Sequence, residues 1–399
     1  MASESTISNL PLPRKAGAYT FAAIFAIESL VRSLNSTVVS LQAYDILGSS
    51  QRVSVLTTAV SLCVLTATLM LPYILGRMRR RWAYSFGAAL MFASAVALAA
   101  HTLWGQAFGM FLRSSSAAIF NITLSLYILD HIKRSDLARA EPIRLSLSTF
   151  SWMTGPALGV WLYVGFGPWG PQLAVMLGLV MLMAVFWYLR LSDRGGALPQ
   201  GTLQPFNPLA NVQRFVAQPR MILAWLIAFG RSCFWTTFFI YGPLLIVESG
   251  LSKSASGLVV SASQALLLSA YFSGYFARKY SVRLVVTMSF LLCAVSSIGA
   301  GLAGAAHPYV AIALLLAGSL AASALDGVGG IPFLRAVRLH ERQHMTAVYR
   351  TFIDFSELLP SFIFAFALIW LDVGAVFAIL GVWLAVVGYY SWRYLPRSL

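Results

Sequence analysis

Apolar residues run through this chain in blocks of about 20, each closed by a short polar or basic interval. The blocks fall near 17–41, 53–75, 82–103, 105–129, 145–164, 172–191, 221–247, 255–277, 284–306, 309–331, 345–370 and 373–393. A helix of that length matches the hydrocarbon thickness of a bilayer. Several blocks contain Gly, Pro or polar residues, so each helix must pack against neighbours rather than stand in lipid on every side. The longest polar interval runs from Ser192 to Arg220 and contains SDRGGALPQG and QPFNP. Its glycines, prolines and short polar residues predict a linker. The pattern therefore divides the chain into six spans over 1–191, a cytoplasmic linker over 192–220 and six spans over 221–399. The other loops leave no room for a soluble domain.

Composition agrees with lipid as the solvent. Of the 399 residues 59% are apolar and 10% charged, against about 25% charged in a soluble domain. The net charge of +15 raises the question of nucleic acid, and its distribution answers it. With both termini cytoplasmic, the basic residues collect in loops on one side, as in RMRRR at 77–81. Only Arg52 and Lys253 fall in the opposite loops, and only Arg32, Arg113 and Arg231 fall within spans away from their cytoplasmic ends. That skew is the positive-inside rule. It orients a multi-pass protein in the cell (inner) membrane and offers contacts to anionic lipid headgroups, with no nucleic-acid partner. The N-terminus lacks the pattern of a cleaved signal peptide, so insertion is expected through the spans themselves. Cys63, Cys233 and Cys293 lie within apolar blocks and have no metal-ligand spacing.

The two halves echo each other. Arg32, Ser33 and Thr37 recur as Arg231, Ser232 and Thr236, an offset of 199 residues. Pro156 and Pro360 stand at matching places, and basic loops follow spans two (YILGRMRRRW) and eight (GYFARKYSVRL). These offsets predict a six-plus-six duplication. Twelve spans, a central linker and those two loops resemble the major facilitator superfamily. Gly274, Lys279 and Arg283 fit that family's loop motif, although Arg278 stands where Asp is usual. Arg113 in FLRSSSAAIFN matches its arginine of the fourth span. TGPALGV supplies Gly155, Pro156 and Gly159 of the fifth-span motif common in antiporters, with Val160 in its last glycine slot. The resemblance implies an all-α membrane fold of two pseudo-symmetric six-helix bundles. It implies that spans one, four, seven and ten line a central cavity, with span eleven behind it, and that the protein is a monomer. The Gly155–Pro156 stretch then bears on gating.

Charge inside the spans carries the chemistry. An arginine at mid-membrane costs about 2.5–3.5 kcal/mol, so Arg32, Arg113 and Arg231 must face water or partners. Glu28, Arg32 and Asn35 share one helix face. Glu28 can lock span one as a static pair with Arg32, or release Arg32 when a substrate arrives. Arginine offers a permanent charge and a planar fork suited to carboxylate or phosphate. Arg32, Arg113 and Arg231, with Asn35, Asn121, Trp235 and Tyr241, are the candidates for binding an anionic or zwitterionic solute. Phe234 and Trp235 serve equally well as packing. Ser319, Ser323 and Asp326 form one stripe in span ten. Arg350, Asp354, Glu357 and Ser361 form another in span eleven, with Arg350 and Asp354 a candidate gate latch. Glu28, Glu357 and Asp326 are the candidates for proton coupling, because a carboxyl held within the membrane is what a proton relay requires.

Two motifs point elsewhere. HERQH at 340–344 has the spacing of a zinc protease, yet it lies in a basic loop without a third ligand, so no metal is expected. No G-x-x-x-x-G-K-[ST] loop occurs, which argues against ATP hydrolysis, and no cofactor is implied. The sequons at Asn35 and Asn121 lie inside spans. The expectation is a proton-coupled secondary transporter, not an enzyme, exporting its solute by antiport. Uptake by symport, multidrug efflux and a receptor that binds without transporting are the alternatives.

Overall fold

The computed structural model describes residues 18–75, 77–131, 134–188, 208–337 and 342–396. Helices follow one another along the chain: α1 (Ala18–Leu47), α2 (Ser50–Leu75), α3 (Arg80–Ala99), α4 (Leu103–His131), α5 (Arg134–Phe166) and α6 (Trp169–Tyr188). Then come α7 (Pro208–Val216), α8 (Pro219–Glu248), α9 (Lys253–Leu266), α10 (Ala270–Lys279) and α11 (Val282–Ala303). The last five are α12 (Pro308–Val328), α13 (Ile331–Ala336), α14 (Arg342–Arg350), α15 (Phe352–Ala367) and α16 (Val373–Tyr394). An all-helical chain is what an apolar sequence in lipid requires, since a helix satisfies its own backbone groups.

Among the described residues nine stretches are long and apolar enough to cross a membrane. Helices α4, α5 and α15 stand in the order of the remaining three expected spans. Three blocks of the sequence are less continuous than their hydropathy implies. The eighth contains a 3-10 turn at Leu267–Ser269 between α9 and α10. The tenth ends at Val328, before the short α13. The eleventh breaks at Thr351 between α14 and α15. Helix α7 adds an element where the sequence predicts only a linker. Its Phe215 is buried against Met221, Ala224, Phe333 and Met345, so α7 is fastened to the second half by apolar packing.

Each half has its own apolar core. Ile24, Tyr84, Phe120, Leu179 and Phe186 fill the first, and Ile227, Phe290, Phe377 and Leu384 lie in the second. Leu69, Leu177 and Val295 are 73%, 70% and 66% exposed, which is tolerable only where lipid covers them. The halves meet where α5 packs on α9, α2 on α15 and α1 on α8. Ser40 Oγ donates to the Phe239 carbonyl at 3.4 Å, and these positions differ by 199 residues, the offset of the arginine echo. Helices α1 and α8 thus cross at equivalent points of the repeat. Gly48 and Gly250, at φ +67° and +80°, close the equivalent turns α1–α2 and α8–α9 in a conformation that favours glycine.

Candidate functional site

The halves are tied near the turns at 48 and 250. Lys253 Nζ donates to both oxygens of Asp45 at 2.7 Å, and the Tyr163 hydroxyl donates to Asp45 Oδ2 at 2.6 Å. Ser50 donates to Glu248, and Ser54 and Tyr241 share a hydroxyl hydrogen bond of 2.6 Å. Deeper in, the Ala157 amide donates to Ser261 Oγ at 2.9 Å. Among the described residues these ties sit from that end down to the middle of the bundles. The Gly155–Pro156 stretch lies at this seam. A Cβ on Gly257 would meet the Pro156 carbonyl at 3.2 Å, and one on Gly155 would run into Ser33 Oγ. The small residues let α5 touch α1 on one side and α9 on the other.

Below the seam stand the charges. Glu28 is 1% exposed and holds Arg32 one turn away at 3.3 Å, while the Tyr84 hydroxyl of α3 donates to its other oxygen at 3.2 Å. Arg32 keeps 20% of its side chain open. In the second half Arg231 Nη1 meets Asp326 Oδ1 at 2.6 Å, and Trp235 Nε1 donates to Asp326 Oδ2 at 2.8 Å. Both members of that pair are about a quarter exposed. Arg113 on α4 and Glu357 on α15 are also partly open. Arg113, Asp326 and Glu357 are surrounded by protein on most sides. Side chains enclosed in that way and still partly accessible line an internal chamber rather than the lipid surface.

The chamber has two clusters joined by α15. Glu357 lies in the electrostatic field of Arg113, Asp354 and Arg32, and Arg113 in that of Arg32 as well. From the same helix, the Phe352 ring lies under the Arg231 guanidinium at 5.7 Å, and Ser356 Oγ donates to Ser232 Oγ at 2.8 Å. Span eleven, which the resemblance set behind the cavity, therefore brings a carboxylate to it.

The other sequence candidates fall in different places. Asn35 is 1% exposed and exchanges amide hydrogen bonds of 2.9 and 3.1 Å with Gln172 on α6, which closes it off within the first bundle. Asn121 is part-buried on α4. Tyr241 is sealed in the seam and Phe234 in the second core, whereas Trp235 reaches the chamber. Ser319 bonds within its helix, and Ser323 bonds to Ser269 beside the break in the eighth span. Arg350 and Asp354 feel each other's charge, but no ion pair forms between them among the described residues. Cys233 and Cys293 are buried and Cys63 is exposed, and no group of metal-ligating residues occurs among the described ones. His340 and Glu341 of HERQH lie outside the described residues, as do Arg14, Lys15, Lys133, Arg190, Arg194 and the linker up to 207.

Sequence reasoning passed over Asp45, Tyr84, Tyr163, Gln172 and Glu248. A signal for the seam was present: Asp45 and Lys253 are opposite charges flanking equivalent turns of the two halves. Nothing in the pattern distinguishes Tyr84 or Gln172 from packing residues.

Residues 21–356 match the family model of the Major Facilitator Superfamily. The chain belongs to that superfamily. Among the solved structures it is similar to a POT family transporter in complex with 5-aminolevulinic acid, with a TM-score of 0.74 and 14% identity over 95% of this chain and 97% of that one. It is similar to the nucleoside transporter NupG, at 0.71 and 12% over 94% and 99%. It also resembles a D-xylose-proton symporter, at 0.68 and 11% over 95% and 98%. At such identities the likeness establishes the fold and leaves the solute open. No relative among the curated proteins matches the chain. Family and fold make it a multi-pass secondary transporter of the superfamily and not an enzyme.

Proposed function

We propose that this transporter moves a small organic solute bearing a carboxylate or phosphate, by alternating access, with protons moving in exchange. The observation behind this reading is the chamber itself: arginines from α1, α4 and α8, drawn from both halves, are enclosed by protein and partly open. A guanidinium is kept in such a place when something anionic visits it. The rocking units are 1–191 and 221–399, joined by 192–220. With the basic loops cytoplasmic, the tied seam faces outward and this is the inward-facing state. Glu357 and Asp326 are carboxyls within the chamber; Glu28 acts from behind Arg32. The Gly155–Pro156 stretch at the inter-half joint favours export by antiport.

The test is flux in proteoliposomes holding the purified protein, with labelled organic acids and an imposed pH gradient. Acid movement should follow the gradient and vanish in Arg113→Ala. Binding without flux would make the protein a receptor. Movement of lipophilic cations alone would remove the anion reading.

A further inference from the structure

Of the three chamber arginines, two already hold a carboxylate of their own half: Arg32 holds Glu28 and Arg231 holds Asp326. Arg113 holds none. Among the described residues no hydrogen bond or ion pair reaches Arg113 or Glu357, and Arg113 Nε is buried without a partner. Yet each lies in the other's field. They are opposite charges on opposite bundles, near enough to attract and too far apart to touch. We infer that the gap between Arg113 and Glu357 is a bridging site for a zwitterion, whose carboxylate binds the Arg113 guanidinium and whose ammonium binds the Glu357 carboxylate.

This rests on the transport reading above and narrows its solute. A plain anion would satisfy Arg113 but be repelled by Glu357 and left facing it. A plain cation would meet the reverse. A molecule carrying both charges satisfies both walls and leaves neither buried group unpaired. The geometry also supplies a driving force. A ligand held at one end by α4 and at the other by α15 draws the two bundles together, and so favours the state in which the chamber closes around it. A monofunctional acid held by α4 alone lacks that differential contact.

The experiment is a thermal-shift titration of the full-length purified protein with matched probes. The zwitterions are β-alanine, γ-aminobutyrate, ε-aminocaproate and dialanine. The controls are propionate, butyrate and caproate on one side and propylamine, butylamine and hexylamine on the other. At least one zwitterion should stabilise the protein at concentrations where its matched acid and amine do not. Glu357→Gln, which keeps the shape, should weaken that zwitterion by roughly tenfold or more while weakening the matched acid little. Arg113→Gln should weaken both; if it fails to accumulate, Glu357→Gln decides alone. A panel in which no zwitterion outperforms its matched acid overturns the bridging site, whatever else binds. If the acids then bind and depend on Arg113, the transport reading survives its loss. If only the amines bind, both fall.

Discussion

Arg32 and Arg231 occupy corresponding places in the two halves, and the chain has given them different carboxylates. Arg32 pairs one turn back along its own helix, with a Glu28 that is sealed and further held by Tyr84. Arg231 reaches from α8 to α12, and its Asp326 stays about a quarter exposed and shared with Trp235. The first pair moves as part of one rigid rod and cannot report the spacing of helices. The second ties two rods together across partly open space, so anything that draws Asp326 away loosens α8 from α12. A duplicated arginine has thus become a fixed, positioned charge in one bundle and a helix-to-helix clasp in the other.

The helices behind the two arginines differ too, and that contrast gives the largest expected effect. A Cβ on Gly159 would run into the Leu34 carbonyl, a backbone atom of α1 that cannot swing aside. A Cβ on Gly230, beside Arg231, would meet only side chains, Phe290 at 3.1 Å and Val387 at 3.3 Å. Gly159→Ala should therefore exceed the usual overpacking penalty of about 1–3 kcal/mol and leave little monodisperse protein in size-exclusion chromatography. Gly230→Ala should run and melt close to the parent. Equal behaviour of the two would mean that α1 and α5 are not packed at the backbone.

The clasp comes next. Asp326→Ala strands the Arg231 guanidinium and the Trp235 indole N–H. Loss of one partner of a fully buried pair costs about 3–5 kcal/mol, and with both members partly open about 2–3 kcal/mol is expected here, read as a lowered midpoint of thermal unfolding. Adding Arg231→Ala to Asp326→Ala should restore part of that loss. Purely additive effects would show that the two residues do not act as a pair. The smallest effect belongs to the rigid side. Tyr84→Phe removes one hydrogen bond to Glu28 and should cost about 1–2 kcal/mol. Its ring stacks on Phe186 at 4.5 Å and stays in place, so the helix path should not change. Solute affinity should be untouched if Arg32 is only positioned through Glu28, and a large change in affinity would promote Glu28 to a direct participant.

Much of this was legible along the chain because lipid leaves few choices. Block length and the skew of basic residues lead to spans, and the echo of Arg32 by Arg231 leads to the repeat. The arginines were visible as anomalies of charge. Their partners were less so. Glu28 is found by helical spacing, but Asp326 is 95 residues from Arg231 and no periodicity joins them. Arg350 and Asp354 show the converse: their spacing suggests a pair, and among the described residues no ion pair joins them.

By itself, then, the sequence determined a helical multi-span transporter with permanent positive charge inside it, since hydropathy and burial cost act locally and can be read residue by residue. Only the tertiary structure decided which carboxylates Arg32 and Arg231 hold, which residues tie the halves beside the turns at 48 and 250, and that Arg113 and Glu357 act on each other across the two halves without forming an ion pair. Those are relations between helices far apart in the chain. They depend on how each rod is rotated about its axis and how closely small residues such as Gly159 let it approach its neighbours, and a one-dimensional pattern does not carry that information.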